Sequence, residues 1–124
     1  MSPLAWVAFV VAGAAGAVTR HVVGGAVNAR APGRFPRGTL VVNLSGSFLF
    51  GLITGLGIDH GLSRELRVVL GTGFCGAYTT FSTFTYETLR LVEDGALRAA
   101  ARNVGTTVIA GAVAAGAGLG LAAL

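Results

Sequence analysis

The residues best equipped for chemistry in this chain lie in one stretch, residues 73–87, which reads GFCGAYTTFSTFTYE. It carries four hydroxyls within five residues (Thr79, Thr80, Ser82, Thr83) and two phenylalanines three apart, Phe81 and Phe84. Serine and threonine hydroxyls rotate, so each can turn its proton toward an anion. A phenylalanine ring has a negative face and a positive edge, and rings presented edge-on assist a small anion without gripping it. In an arbitrary helix, two such rings are core packing. Their interleaving with hydroxyls in a glycine-broken segment favours a polar path instead. Further donors come from the Asn43 amide and from Thr107. A cation or proton carrier would need acids at mid-membrane, and none of the five acids falls there.

The elements that must position these groups are membrane spans. The chain is 124 residues long, 53% hydrophobic and only 11% charged, with 20 glycines; a soluble domain carries roughly 25% charged residues. Apolar runs of membrane-crossing length cover residues 4–27, 39–58, 68–86 and 104–124. They leave short arginine-bearing linkers, the last of which (87–103) is expected to be part helix. The whole of 1–124 therefore reads as one all-α, four-helix transmembrane domain. Its third span is the glycine- and hydroxyl-rich one. Lipid cannot hydrogen-bond a loosened backbone, so such a span is tolerated only where it is buried in protein or lines a wet cavity. No positive charge precedes the first span and its apolar stretch is long, which argues against a cleaved signal peptide. The single cysteine, Cys75, excludes an internal disulfide and any paired-cysteine metal site.

All nine basic residues are arginine and the formal charge is +4. They are scattered among the linkers, with no basic helix or aromatic nucleic-acid motif, so they read as topology determinants. Arg64 and Arg67 share a side with both termini, while Arg30, Arg34, Arg37, Arg90, Arg98 and Arg102 share the other. The excess predicts that the second side is cytoplasmic and both termini are outside. Arg20 lies late in the first span, where it can snorkel to the interface. His21 and His60 fall near span ends, and Trp6 suits an aromatic belt. Glu87 closes the third span as an interfacial cap, an arginine partner or part of an aqueous vestibule. Ser47, Gly51 and Gly55 in the second span, and Gly116 and Gly120 in the fourth, are spaced as helix-packing seams. One four-helix unit of this size is too small to enclose a pore and seal it from lipid. A two-fold dimer is the default expectation.

Two strings carry a resemblance. Residues 38–48, GTLVVNLSGSF, and 73–84, GFCGAYTTFSTF, resemble the second- and third-helix signatures of the Fluc (CrcB) fluoride channels, and residues 16–21 resemble that family's GAxxRY element. The resemblance covers essentially the whole chain. It implies a fluoride-specific channel of the plasma membrane that exports F⁻ passively, built as an antiparallel, dual-topology dimer. It also implies a central structural sodium ion, not transported, held by the backbone carbonyls of Gly76 and Thr79. By the same matching Phe81 and Phe84 form the ring pair, Asn43 faces it, and Ser82, Thr83 and Thr107 are pore hydroxyls. Arg20 and Glu87 are vestibule candidates. Val104 stands where the family usually has a tyrosine, which points to specialisation of one chain within a heterodimer as an alternative to a homodimer. The chain has no hydrolytic constellation, so an enzyme is not expected. A small four-helix multidrug antiporter is the rival reading, but it needs a glutamate in the first span, and residues 4–27 contain no acid.

Overall fold

The computed structural model describes all residues, Met1–Leu124, and is helical throughout. Helix α1, Pro3–Arg30, starts where the Ser2 hydroxyl accepts the Ala5 N–H at 3.1 Å, with Pro3 in the first turn. Proline there loses no helical bond, and its fixed φ suits the start. The chain leaves α1 just before Pro32, turns, and enters α2, Arg37–Asp59, directly after Pro36. The N–H of Gly38 in that first turn is taken by Asn28 Oδ1 at 2.9 Å, which fastens the start of α2 to the end of α1.

The third rod, α3, spans residues 64–78 and is not a uniform helix. An α turn, Arg64–Arg67, capped by Ser63, leads into a π-helical stretch, Val68–Cys75, and then a final α turn, Gly76–Tyr78. A π-helix of this length is rare and tends to occur at functional sites. At Thr79 the backbone swings to φ −79°, ψ 158°, and helical bonding stops. It resumes in α4, Ser82–Glu93. Gly95, at φ +78°, supplies the left-handed turn into α5, Leu97–Ala122.

Three helices, α1, α2 and α5, are long and apolar enough to cross a membrane. The remaining apolar segment is shared between α3 and α4, so no single helix there meets the length. One boundary differs from the sequence expectation. Residues 87–93 and 97–103 are helical, as expected of a linker that is part helix, but Glu87 lies inside α4 rather than at the end of a span. Hydropathy reports what tolerates lipid, whereas a helix continues as long as its hydrogen bonds do.

Close backbone approach at small residues sets the packing. The most extensive contact is between α2 and α5. Gly51 lies against the backbone of Ala115, Gly55 against Leu119 and Ala122, and Gly118 against the Phe48 carbonyl and the Leu52 N–H. A Cβ at Gly116 or Gly120 would meet open space. The seam of α5 within the chain is therefore 111, 115, 118 and 122, and Gly116 and Gly120 lie off it. On the other side α1 packs against α3, where Gly16 admits the Phe74 carbonyl and the Tyr78 N–H. Gly46 of α2 lies against Tyr78 and Thr79. The turn that precedes the break is thus held between two glycines on different helices. His60 Nε2 meets the Ala122 carbonyl at 2.7 Å and ties the ends of α2 and α5 together. The outward faces of α1 and α5 are apolar and open, with Val7, Val10, Val108 and Ile109 among the exposed side chains.

Candidate functional site: a capped helix break beside two polar cavities

A continuous helix would bond the Thr80 N–H to the Gly76 carbonyl. Here that N–H donates to Asn43 Oδ1 at 2.9 Å, and Asn43 Nδ2 donates to the Thr80 carbonyl at 3.0 Å. One side-chain amide thus replaces a backbone partner on both sides, in the way a neighbouring strand would. This answers the cost of loosened backbone inside a span, where each unpaired group is expensive. Asn43 is fixed in turn by α2, because the Ser47 hydroxyl donates to the Asn43 carbonyl at 2.8 Å. One turn earlier in α3, Tyr78 O–H and Ser45 Oγ lie 2.9 Å apart, and Tyr78 stacks on Phe74.

Beyond the break, Thr80 organises the start of α4. Its Oγ1 accepts the Thr83 N–H at 3.1 Å, the bond of an N-terminal cap. It also donates to Thr83 Oγ1 at 3.1 Å and lies 3.5 Å from Ser82 Oγ. Thr80 is 9% exposed. Sequence reasoning counted it among the hydroxyls but gave it no role. The signal was present in its place within the TTFST string; its partner Asn43, 37 residues away, was not visible as such.

Two cavities flank the break. The first, about 320 Å³, is lined by Asn43, Ser47, Thr79, Thr80, Phe81, Phe84, Thr107 and Val108. The structure therefore brings together four of the expected pore residues, Asn43, Phe81, Phe84 and Thr107. The two rings are 6.1 Å apart between centroids and tilted by 48°. Phe81 is 78% exposed, so the groove is open along that side of a single chain. Thr107 Oγ1 is buried and has no hydrogen-bond partner. A buried hydroxyl left unpaired is costly, and a threonine in a helix can usually bond back to its own backbone, as Thr79, Thr85 and Thr88 do.

The second cavity, about 180 Å³, is lined by Arg20, His21, Gly24, Gly25, Asn28, Thr39, Val42, Thr80 and Thr83. It is rich in donors and contains no carboxylate. Arg20 and Thr83 meet here, and Ser82 stands exposed at the same helix start. Glu87 lines neither cavity. It follows Thr83 by one turn on α4, and its Oε1 is buried without a partner. Val104 is on α5, 41% exposed, and also lines neither.

Gly76 and Thr79 line a third groove, about 370 Å³, with Gly46, Ser47, Phe50, Gly71, Thr72, Cys75 and Ala115. The Gly76 carbonyl has lost its helical donor to Asn43, and nothing crowds the position. A carbonyl freed in this way is the oxygen ligand that a hard cation takes. The freed Gly76 carbonyl is of the oxygen type such a site would need.

Comparison with known proteins shows the family of the chain. The family model described as CrcB-like protein, Camphor Resistance (CrcB), matches residues 7–119. The chain is 51% identical over 119 residues to the fluoride-specific ion channel FluC 2 of Mycolicibacterium paratuberculosis, covering 96% of this chain and 94% of the relative. It is 48% identical over 120 residues to FluC 1 of Symbiobacterium thermophilum, covering 95% and 97% of the two chains. Over 100 residues it is 51% identical to FluC 1 of Leifsonia xyli, covering 81% and 73%. With residues 7–119 matched by the family model and relatives about half identical over nearly the whole chain, the protein belongs to the CrcB-like family.

Proposed function

We propose that this chain is one subunit of a passive, fluoride-specific channel of the plasma membrane, which lets F⁻ leave the cytoplasm down its gradient. The observation that carries the reading is the phenylalanine groove. Donors from Asn43 and the unpaired Thr107 hydroxyl share it with the rings of Phe81 and Phe84, and no acid lines it. The relatives, which are named fluoride-specific ion channels, support the same ion. Acid outside drives HF into cells, where it dissociates, and F⁻ then needs a path outward. In this reading the donor-rich cavity around Arg20 and Thr83 receives the hydrated anion, with Ser82 at its rim. The ring edges and hydroxyls replace water along the groove, weakly enough to let the ion go.

The chain acts as a single transmembrane domain, 1–124, that crosses the membrane four times, with α3 and α4 together forming the broken third crossing. The exposed Phe81 and the open groove at Gly76 support assembly with a second subunit, antiparallel to the first, which would close both surfaces. Gly76 and Thr79 of each subunit would then hold sodium through their carbonyls. When bound, the ion supplies positive charge that offsets the cost of bringing anions into low dielectric.

A fluoride-electrode efflux assay on purified protein in liposomes tests the function. The reading requires fluoride release that needs no proton gradient or nucleotide and that chloride does not replace. Proteoliposomes that retain fluoride, whether the chain is alone or paired with a paralogue, would reject it. Protein prepared throughout in a large organic cation instead of sodium should lose dimer stability or flux; unchanged behaviour would remove the sodium site.

A further inference from the structure

The two polar cavities are separate spaces, yet one residue lines both. Thr80 borders the cavity of Arg20 and Thr83 on one side and the phenylalanine groove on the other. Residues from α1 and the first turn of α2 are confined to the first cavity, and residues from α5 to the second. Thr80 is nearly buried, so it is part of the wall between them.

We infer that the Thr80 hydroxyl is the hand-off point at which an anion passes from the basic cavity into the phenylalanine groove. The inference rests on the fluoride-channel reading and adds a residue to it. The hydroxyl has one proton, which it donates to Thr83 Oγ1 at 3.1 Å. That bond leaves the Thr83 proton free to point into the basic cavity, where Thr83 is exposed. An anion waiting there is held by the Thr83 proton, with Thr80 supporting it from behind. As the anion moves toward the rings, the Thr80 proton swings from Thr83 to the anion, since a hydroxyl reorients without moving heavy atoms. Asn43 makes the swing possible without loosening the fold, because it bonds only the backbone N–H and carbonyl of Thr80. The backbone is fixed and the hydroxyl is left to turn.

Position 80 can therefore be varied while the Asn43 bonds across the break stay in place, with valine also giving up the bond from the Thr83 N–H. The substitutions Thr80→Ser, Thr80→Cys and Thr80→Val grade donor strength from hydroxyl to thiol to none, and valine keeps the shape of threonine. Each purified variant is reconstituted in liposomes, and initial fluoride efflux is followed as a function of fluoride concentration. The expected maximal rates are near wild type for serine, several-fold lower for cysteine and at least about tenfold lower for valine, a barrier change on the order of 1.4 kcal/mol. Half-saturation should change little, because capture in the basic cavity is left intact. Serine and cysteine remain informative if the valine variant does not assemble. Wild-type rates for cysteine or valine would overturn the hand-off, as would rates that follow side-chain volume instead of donor strength. Efflux absent from wild-type protein would instead reject the channel reading itself.

Discussion

Phe81 and Thr107 face one groove and contribute opposite kinds of chemistry, so substitutions there separate function from stability in different ways. Phe81→Ile keeps an apolar side chain and removes the positive ring edge. Because Phe81 is 78% exposed in the chain, its loss disturbs little internal packing. Fluoride efflux should fall about tenfold or more, a barrier increase on the order of 1.4 kcal/mol, while the size-exclusion profile stays unchanged. Wild-type efflux would take the ring out of the path. Thr107→Val acts on a hydroxyl that the fold itself leaves unpaired. Its removal should leave stability unchanged or raise it by up to about 1 kcal/mol, and still slow efflux. A thermal-melt and efflux pair measured on one preparation would show the two effects moving in opposite directions. Parallel losses would mean that Thr107 holds the helix pair together and serves no ion. At this scale the ring and hydroxyl residues were legible in the sequence because the rings interleave with hydroxyls in a glycine-broken segment. The part played by Asn43 was only half legible. Its amide was expected to face the rings, and it does line their groove, but its partners are the backbone atoms of Thr80, which no side-chain pattern records.

Among the elements, α5 separates what spacing can disclose from what it cannot. Its glycines and alanines form more than one row of small residues, and regular spacing marks every such row equally. Only the register against α2 decides that Gly118 is enclosed and Gly116 is open. A Cβ at Gly118 would run into backbone atoms of α2, which cannot step aside as a side-chain end can. Gly118→Ala should therefore destabilise the chain by about 1–3 kcal/mol. Gly116→Ala, on the open face, should be neutral or stabilising by up to about 1 kcal/mol, since alanine is the better helix former. Unfolding in detergent, with the protein kept dilute, measures both. Equal losses would show that the two glycines are packed alike and that the register assigned to α5 is wrong. The break was legible as a glycine- and hydroxyl-rich segment, and only the family resemblance, through the carbonyls of Gly76 and Thr79, pointed to its position. Residues 68–86 are apolar enough to read as one span, and nothing in their composition marks Thr79 as the residue where the backbone swings out. The polar turns that start α5 and end α4 were expected to be part helix, and only their bounds escaped, for the converse reason: they are helical without being lipid-like.

For the whole molecule, the arginines make a statement that the fold sharpens. Arg30 ends α1, Arg34 lies in the following turn and Arg37 opens α2, while Arg90, Arg98 and Arg102 flank the turn between α4 and α5. These six lie at one end of the crossing helices, if α3 and α4 together make one crossing. Arg64 and Arg67 open α3 at the other. Cytoplasmic loops collect arginine, so the six-residue end should be inside and the N-terminus outside. A homodimer of antiparallel subunits needs one chain to insert both ways, which a six-to-two bias opposes. The bias therefore favours a partner with the opposite orientation. Single cysteines settle the orientation when placed by Ser2→Cys and Ala31→Cys in a Cys75→Ala background. The native thiol is buried, so it contributes little labelling even if retained. Fixed topology predicts that a membrane-impermeant reagent applied to intact cells labels position 2 and leaves position 31 protected until the cells are opened. It also predicts that the chain expressed alone supports little fluoride efflux, and that co-expression with an oppositely oriented paralogue restores it. Equal labelling of the two positions in intact cells, together with robust efflux from the chain alone, would establish the antiparallel homodimer in its place.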